Sequence, residues 1–342
     1  MLDAARRSGG EKPLGTGLWS DLRALLRTLR LARSAPSIIV GATRKATGFV
    51  ASFERTVRPI LAETITDPRL RDHVGDSLLS YATKACFVVA GYARMTGVSF
   101  SGDIAVLGLS FARLYDDLLD EIGGDLEPRL GRLFEDGSFT PTSDLERLLH
   151  RLFGELDRRL GRERDDPVYA AAQALHCWQI RTRCQRDPLT SEAVLAEVTR
   201  EKGGHGTLAI FALMRPRLSN PERRVILDVG AVMQLLDDYL DVELDRRNKI
   251  RTLATEGRLG LPEVCRHLRM TRVRVVGYYG PRNSREFLGV CYLTVWICFV
   301  RRQWPRLGTG RGSDATSSPW NIVVLPGDNL VQRADERAAP SS

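Results

Sequence analysis

Six cysteines (Cys86, Cys177, Cys184, Cys265, Cys291, Cys298) are scattered without a CxxC pair, and the five histidines form no cluster. A zinc site and a disulfide scaffold are thereby disfavoured, and a reduced, cytoplasmic protein is expected. Aromatic residues make up only 7% of the chain, and no alternating run of β-branched residues occurs, which argues against a β-sandwich. The first residues lack the continuous apolar stretch of a secretory signal. The longest strongly apolar stretch, 287–300 (FLGVCYLTVWICFV), falls short of the roughly 20 residues that span a bilayer and reads as a buried helix. The formal charge is +8, yet lysine and arginine are spread along the chain with no nucleic-acid-binding motif among them. The basic balance therefore points to a small anionic substrate and not to nucleic acid.

What is present is helical punctuation. The chain has 342 residues, 43% hydrophobic and 27% charged, enough for one large core. Apolar residues at helical spacing predict helices over roughly 45–63, 73–96, 101–121, 141–162, 167–185, 190–215, 219–246, 260–276 and 284–303. Gly97, Gly123, Pro141, Pro167, Pro188, Pro221, Gly257 and Pro281 separate them. Residues 18–35 set Leu22, Leu25, Leu26, Leu29 and Leu31 among arginines, a basic amphipathic helix expected to pack on the domain or to touch membrane weakly. The expected organisation is a disordered leader (1–16), an all-α domain (17–307) of about ten helices and a disordered tail (308–342).

One short motif occurs twice. DDLLD at 116–120 (Asp116, Asp117, Asp120) and DDYLD at 237–241 (Asp237, Asp238, Asp241) each end an apolar helix. On a helix the first and last carboxylates lie one turn apart on the same face, with the middle one beside them. Asp245 extends the second cluster by a further turn. One such motif arises by accident in roughly one chain in nine of this composition, and two in under about one in a hundred. Like charges stacked in this way are costly unless a cation neutralises them. Carboxylates without histidine or cysteine partners favour hard ions, so Mg²⁺ over Zn²⁺. Mg²⁺ fills its octahedron with water and phosphate oxygens, and two acidic helices facing across a cavity suggest several such ions gripping one diphosphate.

This pair of motifs on a helical background resembles the class I isoprenoid synthases, which include trans-prenyl diphosphate synthases, squalene/phytoene synthases and class I terpene cyclases. Gln234 precedes the second motif as in QxxDDxxD, and Lys249 follows it where those enzymes carry a lysine loop. Lys202 in EKGGHGTLAI is similar to their diphosphate-contacting lysine element. The resemblance covers roughly 70–275 and implies a helical bundle around a central cavity. It also implies an allylic prenyl diphosphate as substrate and the six aspartates as metal ligands. Chain-elongating members carry a Gly-Lys-Arg element and an Arg-Arg pair for isopentenyl diphosphate. Here Lys84 and Arg94 stand upstream, and Arg129 and Arg132 stand apart after the first motif. That departure favours a terpene synthase, in which one substrate is ionised and then cyclised or quenched. Chain elongation, phytoene/squalene-like coupling and a non-catalytic subunit of the same fold remain as alternatives, and a homodimer is compatible with each.

Other residues fit around this core. Phe111, five residues before the first aspartate, is a candidate floor for the hydrocarbon pocket, with ordinary core packing as the plainer role. Arg113 is a candidate for reaching the diphosphate or a plain solvated helix residue, and Arg246 and Arg247 after the second motif are better placed to meet phosphate oxygens. Arg181, Arg183 and Arg186 after Trp178 are a candidate diphosphate sensor, with a plain basic face as the plainer role; His205, in what reads as a glycine-rich bend, is a candidate proton acceptor or a plain loop histidine; and 275–283 (VVGYYGPRN) is a candidate segment to close over the site.

Overall fold

Helix boundaries fall where the sequence supplies caps and breakers. The computed structural model describes residues 35–122, 126–163 and 165–307, with Arg23 and Leu26, and the side chains in these ranges apart from 35–44, 120–122 and 301–307. The leader, the tail and all of the expected helix over 18–35 other than its last residue and the helical positions Arg23 and Leu26 lie outside the described residues. Eleven α-helices are present among those described: α1 (Ala35–Thr64), α2 (Pro68–Thr96), α3 (Gly102–Ile122), α4 (Leu126–Glu135), α5 (Asp144–Leu160) and α6 (Pro167–Arg181). After a 3₁₀ turn (Thr182–Arg186) come α7 (Glu192–Met214), α8 (Asn220–Leu240), α9 (Val242–Arg247), α10 (Leu261–Tyr279) and α11 (Ser284–Leu307). Asp67 accepts from the Arg69 amide with Pro68 in the first turn of α2, and Asp166 and Pro167 open α6 in the same way. Gly97 closes α2 at φ 71°, in the left-handed region that glycine enters without strain.

The bundle is built around α3, which packs against α1, α2, α5 and α7, while α7 is sandwiched between α6 and α8. Leu107, Leu114 and Leu118 of α3 are fully buried, and Gly108 lies so close to Leu213 of α7 that a Cβ would stand 2.2 Å from it. The single all-α domain expected from the sequence is observed, and no helix among the described residues is long and apolar enough to cross a membrane.

Four local expectations are corrected. The glycine-rich segment 203–206 is no bend: α7 runs straight through it. Its glycines serve contact instead, because a Cβ on Gly203 would meet the Gly230 carbonyl oxygen of α8 at 2.5 Å. The helix expected over 219–246 breaks at Asp241, and α9 continues after it. The break falls within a run of carboxylates, where stacked like charges weaken helix by about 0.2–0.5 kcal/mol per pair. The helix expected over 260–276 runs on to Tyr279, so more than half of the segment 275–283 is helical. Finally, α4 has no counterpart among the predicted helices: its short apolar series follows two glycines and begins beyond a segment that reads as a turn.

Candidate active site

A cavity of about 1250 Å³ runs into the bundle between α2, α3, α6, α7 and α8. That exceeds the roughly 300–1,000 Å³ of most ligand pockets and leaves room for a long chain as well as its head group. The C-terminal end of α3 brings Asp116 and Asp117 to the wall, and the end of α8 brings Asp237, Asp238 and Asp241, with Asp245 following from α9. Both motifs therefore line one cavity. Their fields overlap at Tyr81 of α2, whose hydroxyl is pushed up to about 12, first by burial and then by Asp116, Asp237 and Asp117. The described residues do not include the side chain of Asp120.

Around the aspartates the polar partners are specific. Arg113 pairs with Asp117 one turn later at 3.0 Å, and both are mostly buried. Gln234 spends its amide on its own helix: Nε2 donates to Asp237 Oδ2 at 3.2 Å and to Asp238 Oδ1 at 3.1 Å. Thr199 of α7 donates to Asp238 Oδ2 at 3.0 Å. Burial raises the Asp238 carboxyl to about 6, opposed by those two hydrogen bonds and by the charge of Lys202. Burial, followed by Asp237, Asp245 and Asp238, pushes Asp241 up, while Arg113 from the opposite motif acts against this. Burial, more than neighbouring charge, is what disfavours ionisation of both carboxylates.

The residues expected from the sequence divide unevenly. Phe111, Arg113, Lys202, Gln234 and Asp245 line the cavity beside the five described motif aspartates. Arg246 and Lys249 do not. Arg246 faces Glu243 at 3.4 Å on an exposed turn, and Lys249 is exposed at φ 57°, closing α9 in the left-handed conformation. His205 also lies off the cavity, 3.5 Å from Glu201 within α7. Arg183 and Arg186 do reach the wall, whereas Arg181 stacks on Trp178 at 4.8 Å. Lys84, Gln179 and Asn248 were not singled out as site residues by the sequence and line it too. Lys84 carries a signal of a kind, as a cation inside the mainly apolar series 78–93 of α2, but Gln179 carries none.

Away from the aspartates the wall turns apolar and aromatic. Phe111 stands 5.9 Å from Tyr115, 6.0 Å from Phe134 and 5.6 Å from Phe153 between ring centres. Behind them Tyr115 and His176 share a buried hydrogen bond of 2.6 Å between the phenol oxygen and Nδ1.

For a hard divalent ion the donors are of the right kind, all oxygen. Among the described residues no three acidic, histidine or cysteine side chains converge closely enough to cage a metal on their own. Mg²⁺ does not require such a cage, since one or two carboxylates with water and phosphate suffice. The donor set is thus compatible with Mg²⁺, which Asp116 and Asp117 would hold from one wall and Asp237, Asp238 and Asp241 from the other. The chain matches no protein-family model, no curated protein and no solved structure.

Proposed function

We propose that this protein is a class I isoprenoid synthase, a terpene synthase that ionises one allylic prenyl diphosphate with Mg²⁺ and then cyclises or quenches the carbocation. The observation that carries this reading is the shared cavity. Two aspartate pairs from α3 and α8 meet at its polar end, and an aromatic chamber lies directly beyond them.

Each part has a task in that reaction. Mg²⁺, when bound, neutralises diphosphate charge and makes it a better leaving group. Arg113 and Lys202 supply cationic hydrogen-bond donors at the same end, suited to phosphate oxygens. Gln234 and Thr199 orient Asp238. As the C–O bond breaks, positive charge develops on the allylic carbon. The ring faces of Phe111, Tyr115, Phe134 and Phe153 are the groups able to stabilise it while excluding bulk water.

A second reading, condensation of two diphosphates, draws on one observation: Lys84, Arg183 and Arg186 add cations to the cavity wall beyond Arg113 and Lys202. Incubation with Mg²⁺ and a single allylic diphosphate decides between them. A hydrocarbon or alcohol from one substrate supports the synthase reading, and product formed only when isopentenyl diphosphate is added supports elongation.

A further inference from the structure

Gln179 of α6 is only 3% exposed, yet neither Oε1 nor Nε2 has a hydrogen-bond partner. It lines the cavity, and its place along α6 is informative. Before it the helix lines the cavity mainly with apolar residues (Val168, Ala172, Leu175), and after it the 3₁₀ turn adds Thr182, Arg183, Gln185 and Arg186. Gln179 thus stands where a mainly apolar wall becomes a polar one, in which Arg183 is paired with Glu127. His176, one turn earlier on α6, is engaged with Tyr115.

Leaving a buried donor or acceptor unsatisfied costs about 1–3 kcal/mol, and most such groups are met by protein or by ordered water. A prenyl chain satisfies neither end of the amide. A diphosphate, which only accepts, would satisfy Nε2 and set its negative charge against Oε1. A hydroxylic molecule serves both ends at once, accepting from Nε2 and donating to Oε1.

We infer that Gln179 seats a water molecule at the junction of the two ends of the cavity, and that this water captures the carbocation, so that the product is an alcohol. The inference rests on the ionisation reading above. The C–O bond of the substrate breaks with its electron pair leaving on diphosphate. A lone pair of the water forms the new C–O bond, and the released diphosphate takes the proton lost from the resulting oxonium. Substrate and water become alcohol and hydrogen diphosphate. Gln179 acts through the water and is a positioning residue.

The test is turnover of allylic diphosphates of two to five isoprene units, with Mg²⁺, in ¹⁸O-labelled water. The wild-type chain is expected to give an alcohol carrying the label on carbon. In Gln179→Leu the alcohol share is expected to fall by about tenfold or more in favour of olefin. Substrate consumption is expected to persist, and Gln179→Glu, which keeps an acceptor for water, should retain the alcohol. The melting-temperature shift caused by Mg²⁺ with inorganic diphosphate should be the same in wild type and Gln179→Leu. Olefin alone from the wild type, an unchanged alcohol share in Gln179→Leu, or loss of its diphosphate shift would each overturn the inference while leaving ionisation intact. An unlabelled alcohol, which keeps the substrate's own oxygen through P–O cleavage, or absence of diphosphate release from every substrate would overturn ionisation itself, and this inference with it.

Discussion

Asp117 and Asp238 are the most deeply buried of the described motif aspartates, 4% and 6% exposed, and each is held by a neighbour: Arg113 for the first, Gln234 and Thr199 for the second. Such orientation matters because charge stabilisation in a dry site depends on donors and ions placed in advance. Asp117→Ala and Asp238→Ala are each expected to lower turnover at least about a hundredfold, measured as diphosphate release under saturating Mg²⁺. Melting temperature should change little or rise in Asp238→Ala, which removes a carboxylate that burial disfavours, and fall in Asp117→Ala, which takes away the carboxylate that the mostly buried Arg113 pairs with. Phe111 acts at the opposite end. Its ring touches Tyr115, Phe134 and Phe153, so removing it joins their space to the cavity. Phe111→Ala is expected to shift preference toward an allylic diphosphate one isoprene unit longer, read as a change in relative kcat/KM across chain lengths. An unchanged preference would assign Phe111 to core packing alone.

At the scale of elements, two contacts hold the walls in register. Gly203 and Gly230 bring α7 and α8 together so closely that a Cβ on Gly203 would stand 2.4 Å from Gln234 Cβ as well as 2.5 Å from the Gly230 oxygen. Gly203→Ala must therefore push α8 outward and move Gln234 with it. A loss of thermal stability and of diphosphate release in the same variant is expected, although the substitution adds only a methyl group. The second contact clasps α4 to α5. Glu146 receives Arg129 and, through Thr142, a backbone N–H at 2.8 Å and a hydroxyl at 3.0 Å. Burial alone would raise its carboxyl, but Arg129 and Thr142 prevail and hold it below the ordinary 4.5. A depressed carboxylate contributes stability that is present above its unfolded pKa and is lost as pH falls through the folded one. Stability should therefore decline on acidification below about pH 4.5, and Glu146→Gln should flatten that part of the profile, checked by melting curves from pH 7 to 3.

These elements were unequally legible. The helices bounded by Pro167, Pro221 or Gly97 could be read because their caps are local chemistry. The glycines of α7 could not, because a glycine run signals a turn unless the facing helix is known, and that helix lies some 27 residues on. The aspartates were found through their repetition. Gln179 carries no periodicity or motif, and only its buried, unsatisfied amide in the cavity wall reveals it. Arg246 and Lys249 show the converse error. Their sequence distance from the second motif suits a role at the site, but the helix break at Asp241 and the left-handed turn at Lys249 carry them elsewhere.

For the whole molecule, the acidic end of the cavity sits in a chain of net charge +8, so a polyanion is attracted overall and then meets a cluster of carboxylates whose charge metal ions would offset. Ligand and metal should accordingly bind together. Mg²⁺ or inorganic diphosphate added alone is expected to shift the melting temperature little, and the two together to raise it by several degrees, as linked binding to the folded state requires. Equal shifts from diphosphate with and without Mg²⁺ would assign binding to the arginines and lysines alone.

The most direct measurement follows diphosphate release from allylic substrates of two to five isoprene units, with Mg²⁺ and with chelator, in the wild-type chain and in the double variant Asp117→Ala, Asp238→Ala. Release from at least one single substrate is expected, dependent on Mg²⁺ and lost in the double variant. No release from any of them, or release that persists with chelator or without these two aspartates, would contradict ionisation between the two aspartate-rich helices.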